Sequence, residues 1–536
     1  MSKDIFKGSS IVGSLTLISR ILGFIWNLVI AKVFGASYVA DIFFVAYRIP
    51  NILRSFLAEG AFTSAFVPAF SQEIKANLEQ AKESLKSITG FLVILTTIVS
   101  ILGIIFAREI VSLIAPGFIN DPKKFELCIT LTKITLPYII FVSVISLVNG
   151  ALNNMKIFGA SPIAQITMNI VMIIFSWIAS FFDQELGIKI LAISVIFGGI
   201  IQILVQIPSL RKVGFSIIPK RPFITPFSKK VIKLMLPAIF GSAVYQLSIF
   251  VNTILASFLE TGSVSWLFYA DRIALFPIGI ITIAIVSVLL PELSRSHNNQ
   301  DNDKFKLDFL NTLSFTSFLL IPASLGLIIL AEPITTILFE RGEFTRTDTI
   351  NTYQAVQAMA FGLWGVSCNA IITRAFLAKQ NTRLPALLSF CTLVINLILA
   401  LLLMGTPIES NSTLYYIVIN LQSLLTQFLP SLDLRHIGLA FASGMSVTLI
   451  FTFSIILLNI KYLNFSLNQF LISTFKAITS SIVMVFAILA TKTLITNTAL
   501  YLIIAIIISA PVYLFTGLVL RSNEAKICYQ KVRRKI

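Results

Sequence analysis

The chain has 536 residues, 56% of them hydrophobic and only 12% charged, where a soluble domain carries about 25% charged residues. That composition excludes an ordinary soluble enzyme or binding module. The net charge of +17 would suit a nucleic-acid binder, but the basic residues lie in short loops between apolar blocks, so they report membrane topology and no nucleic-acid partner is expected.

Apolar blocks such as 87–106, 188–205 and 499–520 are long enough to cross a bilayer as helices, which takes about 20 residues. Transmembrane strands would give weaker, alternating segments. The expected fold class is therefore an all-α polytopic membrane protein with fourteen transmembrane helices. In chain order the spans fall near 10–36, 38–69, 87–114, 127–153, 160–182, 188–209, 230–259, 263–292, 308–339, 350–378, 384–406, 437–459, 466–491 and 497–520. The N-terminus leads straight into a full-length span and shows no small-residue cleavage site, so no removable signal peptide is expected. Segment 405–435 is polar and then apolar, and reads as an outer loop with an interfacial stretch, or as a fifteenth span.

An even number of spans puts both termini on one side. With the N-terminus inside, 25 basic residues fall on inner segments and nine, Lys123 and Lys124 among them, on outer ones. Cytoplasmic retention of positive charge then predicts a multi-pass inner-membrane protein with both termini in the cytoplasm.

The two halves repeat. Tyr47-Arg48-Ile49 returns as Asp271-Arg272-Ile273, and Gly150-Ala151-Leu152 as Arg374-Ala375-Phe376, both at an offset of 224; Pro162 returns as Pro385 at 223. Six is an even number of helices, so both copies enter the membrane in the same direction, as a parallel repeat. The expected domains are an N-lobe over 1–225, ending in the basic, proline-containing linker 211–230, a C-lobe over 226–460, and two extra helices with a basic tail over 461–536. A substrate path is expected between the two six-helix lobes.

Ionisable residues at membrane depth are costly and face a cavity or a partner. Arg20 lies ten residues into the first span, about 15 Å deep, and Arg272 about 14 Å into the eighth. Arg54 lies near the middle of the second. Three arginines thus share one depth. The second span also holds Asp41, Arg48 and Glu59, whose spacings of seven and eleven return to one helical face; Pro50 makes the register across it unreliable. Asp271 lies beside Arg272. Asp41 and Arg48 read equally as a structural pair, and Glu59 as a brace for the kinked helix. The membrane-depth acids are too few to neutralise the arginine trio, so a cavity with surplus positive charge, suited to an anion, is expected. Arginine's planar fork bonds two phosphate oxygens at once and keeps its charge. The scattered Cys128, Cys368, Cys391 and Cys528 and the distant His297 and His436 offer no zinc or disulfide pattern, so neither metal nor cofactor is expected.

Ser19-Arg20-Ile21-Leu22-Gly23-Phe24, Ala40-Asp41-Ile42-Phe43-Phe44, Pro50-Asn51-Ile52-Leu53-Arg54, Ala58-Glu59-Gly60-Ala61-Phe62 and Tyr269-Ala270-Asp271-Arg272 resemble the MurJ (MviN) lipid II flippases of the multidrug/oligosaccharidyl-lipid/polysaccharide exporter superfamily. The resemblance covers essentially the whole chain. It implies translocation of undecaprenyl-diphosphate-linked disaccharide-pentapeptide from the inner to the outer leaflet, with no enzymatic activity. It also implies membrane lipids and cell-wall synthesis proteins as partners. It further implies a cavity built from Arg20, Arg54, Arg272, Asp41 and Glu59, and a lipid groove on the last two helices. Many members carry Arg-Asp where this chain has Trp26-Asn27. Either Arg48 supplies the missing cation, or Trp26 faces lipid or packs between helices and one cation fewer is needed. The acid through which some members bind sodium has Asn252 as its counterpart, which argues against sodium coupling. A flippase for another undecaprenyl-linked glycan fits the charges equally; a multidrug antiporter would want a cavity acid. A membrane glycosyltransferase would want an essential acid in an outer loop, where Glu409 and Asp433 stand without a motif.

Overall fold

The computed structural model describes residues 3–55, 61–463 and 466–533. Among them the regular structure is helical, with one isolated bridge between Met404 and Asp433. In lipid, a helix is the one open segment that pairs all its own backbone groups. Among the described residues twelve helices are long and apolar enough to cross a membrane, and the protein is a multi-pass membrane protein. Two expected spans fall outside that dozen. The second is α2 (Tyr38–Arg54) and α3 (Ala61–Ala76), either side of undescribed residues; the seventh is the 32-residue α10 (Pro226–Ser257).

Packing divides the chain into two units. The first takes Met1–Ser265 with Arg341–Phe344 and Ile408–Ile417. Its elements are α1 (Lys3–Phe34), α2, α3, α4 (Leu78–Ile105), α5 (Ala107–Ile114), α6 (Pro122–Thr135), α7 (Tyr138–Asn154), α8 (Ala160–Ala179), α9 (Gln184–Lys212) and α10. The third span starts earlier than expected, because Asn77 caps α4 by accepting from Glu79 N and Gln80 N. It breaks at Phe106, just before Arg108 and Glu109. Phe62, Phe66 and Phe70 repeat every four residues on α3, so their rings stack at 5.3 and 4.9 Å. Phe215 and Phe227 close this cluster, together with Leu85 and Leu92 of α4 and Leu147 of α7. The contact division differs from the repeat division because α10 packs on α3 and α4.

The second unit takes Trp266–Glu340, Thr345–Pro407 and Val418–Ile536. It holds most of α11 (Ser263–Pro277), then α12 (Ile283–Asn298), α13 (Asn302–Phe339), α14 (Arg346–Ala378), α15 (Arg383–Leu403), most of α16 (Thr413–Thr426), α17 (Arg435–Leu458), α18 (Asn468–Leu494), α19 (Thr498–Val519) and α20 (Asn523–Arg533). α11 and α12 run as one rod through a π turn at Ile278–Thr282, directly after Pro277. There the Thr282 hydroxyl meets Ser367 Oγ of α14 at 2.7 Å. α14 and α17 touch at Gly362 and Gly444, where a Cβ on either would overlap the other's backbone. Small residues permit such close approach where lipid supplies no hydrophobic drive. α16, the expected interfacial stretch, has 14 residues and rises about 21 Å, short of a bilayer core of about 30 Å. α18 and α19 pack on α13, where Tyr513 Oη donates to Phe318 O at 2.6 Å. They leave Phe475, Phe486, Ile507 and Phe515 exposed, as lipid-facing side chains would be.

Candidate functional site

The charges of α2 receive opposite treatment at its two ends. Asp41, in the first turn, is 1% exposed. Its Oδ2 accepts from Gly262 N at 2.7 Å, and its Oδ1 accepts from Ser265 N at 2.9 Å and Ser265 Oγ at 2.7 Å. Those amides open α11, whose first N–H groups have no partner inside the helix, so the carboxylate acts as their cap. Lys124 Nζ approaches Asp41 Oδ2 at 3.7 Å and sits 4.1 Å from the centroid of the Phe118 ring. The carboxylate is thus enclosed by protein groups and presents no surface to a ligand. The resemblance implies Asp41 as a cavity residue; here its carboxylate bonds to protein groups, with a partner, Lys124, that lies in a predicted outer loop and another, Gly262, far away in the chain.

Arg48 lies two turns further along and donates to Thr253 Oγ1 of α10, whose hydroxyl in turn donates to Ile249 O at 2.7 Å. Asn252 is half-buried beside it. Trp26 is 7% exposed and packs edge-on to Tyr47 at 6.0 Å, and Tyr47 stacks on Phe43. Asn27 Nδ2 donates to Gly23 O at 2.8 Å. Position 26 is therefore an apolar packing position between α1 and α2.

Arg54, in the last turn of α2, lines a cavity of about 190 Å³ among α2, α3, α7, α8 and α9. Its described lining includes Ser146, Asn149, Asn153, Gln165 and Gln202, and no carboxylate. Arg20 is exposed on α1, next to Ser19, whose carbonyl accepts from Asn169 Nδ2 of α8 at 2.8 Å. In the second unit Arg272 is exposed on α11, with its guanidinium carbon 4.6 Å from the Phe268 ring centroid, a cation–π distance. Asp271 beside it is half-buried. Glu59 lies outside the described residues. Arginines that lie in the membrane-spanning part and keep exposed or cavity-lining faces can bind an anion with two parallel hydrogen bonds each.

The family model described as "Lipid II flippase MurJ" matches residues 30–510. The chain belongs to the MurJ family of lipid II flippases. A probable lipid II flippase MurJ of Vibrio cholerae is 37% identical over 409 residues, 74% of this chain and 77% of that protein. The lipid II flippase MurJ of Burkholderia cenocepacia is 34% identical over 399 residues, 73% of this chain and 77% of its own length. The solved structure of lipid II flippase MurJ in an inward closed conformation superposes with a TM-score of 0.78 at 27% identity, covering 95% of this chain and 98% of that one. An inward-facing multidrug-resistance MATE transporter of the MOP superfamily shares the fold alone, at a TM-score of 0.60 and 13% identity over 83% of this chain and 94% of that one.

Proposed function

We propose that this chain carries lipid II, an undecaprenyl-diphosphate-linked disaccharide-pentapeptide, from the inner to the outer leaflet of a bacterial inner membrane by alternating access. The observation that supports it best is Arg54, a permanent cation in a cavity whose described lining offers no carboxylate. A diphosphate needs such a site, because leaving water without a charged partner is costly. Arg20 and Arg272 serve as further diphosphate ligands, and Asp271 orients Arg272. Arg48 and Asp41 act through the protein frame, and Glu59 braces the second span, which Pro50 can kink. α18 and α19 hold the polyprenyl tail along their exposed apolar faces. Alternating access follows where the loaded carrier stabilises a state the empty carrier disfavours. A multidrug antiporter of this fold would place an acid where Arg54 stands.

The chain crosses the membrane fourteen times in this reading, counting α2 with α3 and α10, and both termini lie in the cytoplasm. Reporter fusions at Lys212 and Lys535 should both read cytoplasm, and one after Glu260 should read the outside; an outside signal at Lys535 breaks the topology. The functional test is depletion of the protein with measurement of the leaflet in which lipid II accumulates. Inner-leaflet accumulation, relieved by the wild-type chain and not by Arg20→Ala or Arg272→Ala, is the expected result. Unchanged leaflet distribution on depletion would remove the reading.

A further inference from the structure

The cavity at Arg54 holds more than a cation. It lies where three otherwise apolar membrane helices carry carboxamides: Asn149 and Asn153 on α7, Gln165 on α8 and Gln202 on α9. Amides at membrane depth often join helices, and some of this group do. Gln206 Nε2 donates to Asn149 Oδ1 at 3.0 Å, and Gln202 Nε2 donates to Ala164 O at 3.1 Å. Among the described residues, helix joining leaves the Oε1 atoms of Gln202 and Gln206 without a donor, and of these two glutamines only Gln202 lines the cavity. Gln202 is 3% exposed and lines the cavity, yet its Oε1 accepts no hydrogen bond among the described residues. A buried acceptor without a partner is unfavourable by about 1–3 kcal/mol, which a donor from a bound molecule would recover.

We propose that this cavity is a sugar subsite, holding one uncharged hexosamine ring next to the diphosphate that Arg54 binds; the proposal rests on the lipid-linked substrate inferred above. Three observations select that occupant. Apart from Arg54 the lining is uncharged and mixes carboxamides and hydroxyls with Val142, Ile145 and Ala164, and each carboxamide both donates and accepts, which matches sugar hydroxyls and an acetamido group. An apolar tail would strip water from these amides and return no hydrogen bond, and a peptide with carboxylates and ammonium groups would call for several counter-charges. The volume of about 190 Å³ is below the range of about 300–1,000 Å³ that takes a drug-sized ligand, so it suits one ring and not a disaccharide with its peptide. The position also fits, because the first sugar is bonded to the diphosphate and must lie beside whatever binds it. Ser146 and Asn153 supply further polar edges, and Gln165, exposed at the rim, marks the mouth.

The test uses the full chain in lipid nanodiscs and two ligands, lipid II and undecaprenyl diphosphate without sugar. Gln202→Leu and Gln165→Leu should each weaken lipid II by about tenfold, the value of one good neutral hydrogen bond, and leave undecaprenyl diphosphate within about twofold. Arg54→Ala should weaken both ligands. Gln165 is exposed, so its variant carries the test should Gln202→Leu fail to fold. Equal loss for both ligands in the glutamine variants, or no loss for lipid II, overturns the sugar subsite and leaves the flippase reading standing. A wild-type chain that binds neither ligand overturns both.

Discussion

The two ends of α2 each carry an ionisable residue within an expected span, and they resolve its cost in opposite ways. At the N-terminal end Asp41 is surrounded by Gly262, Ser265 and Lys124. At the C-terminal end Arg54 opens on a cavity with neutral amides around it. The first charge is held by the protein, so it fastens α2 to the start of α11. The second lines a cavity whose described walls carry amides and no carboxylate, and in the proposed function it serves a ligand. Depth in the membrane identifies a costly charge; what encloses that charge decides between structure and binding.

The comparison breaks most visibly at Arg54. Arg54→Ala should abolish rescue of a flippase-depleted cell while the protein reaches the membrane in normal amount and unfolds at an unchanged temperature. Arg54→Lys should rescue partly at best, because it keeps the charge and loses the fork. An Arg54→Ala chain that rescues growth would make this end structural as well.

Asp41→Ala should do the reverse, lowering stability by about 3–5 kcal/mol because Lys124 would be left as a buried charge without its partner. Thermal unfolding in detergent reads this directly. Asp41→Asn should fall between, since the amide oxygen still accepts from Ser265. An Asp41→Ala chain of wild-type stability that no longer binds undecaprenyl diphosphate would return Asp41 to the ligand site.

Arg48 sharpens the comparison from the middle of the helix. Loss of its bond to Thr253 should be worth about 1.5–3 kcal/mol, the range for hydrogen bonds to charged groups, with transport retained. Trp26→Arg should lower stability further and improve nothing, since position 26 faces Tyr47. Relief of Arg48→Ala by Trp26→Arg, in a growth-rescue assay, would show instead that the two positions share a cationic role.

Much of this was legible from residue order alone. Long apolar blocks announce the helices, and counting residues from a span's start places Arg20, Arg54 and Arg272 at depth. The π turn after Pro277 was not legible, because the residues on both sides are equally apolar and tertiary packing sets the bend; the break at Phe106 had a signal in Arg108 and Glu109, which follow it. Asp41 escaped for a different reason: Lys124 looks like any loop lysine until α6 folds against α2. The amides escaped because a search for ionised groups passes over Gln202 and Asn149, though carboxamides inside apolar helices are a readable signal in their own right.

The meeting of Gly362 with Gly444 has a mechanical consequence. Two backbones in direct contact have no side chains between them to change rotamer, so the crossing acts as a rivet. Sliding α14 by one residue would bring the side chain of Phe361 or Leu363 to a crossing that has no room for one. Any working cycle must therefore carry α14 and α17 together. The adjacent rings of Phe361 and Phe441, 5.3 Å apart, mark where this can be checked. A disulfide joining cysteines at those two positions should leave transport unchanged, and a stalled carrier would show that the rivet slips.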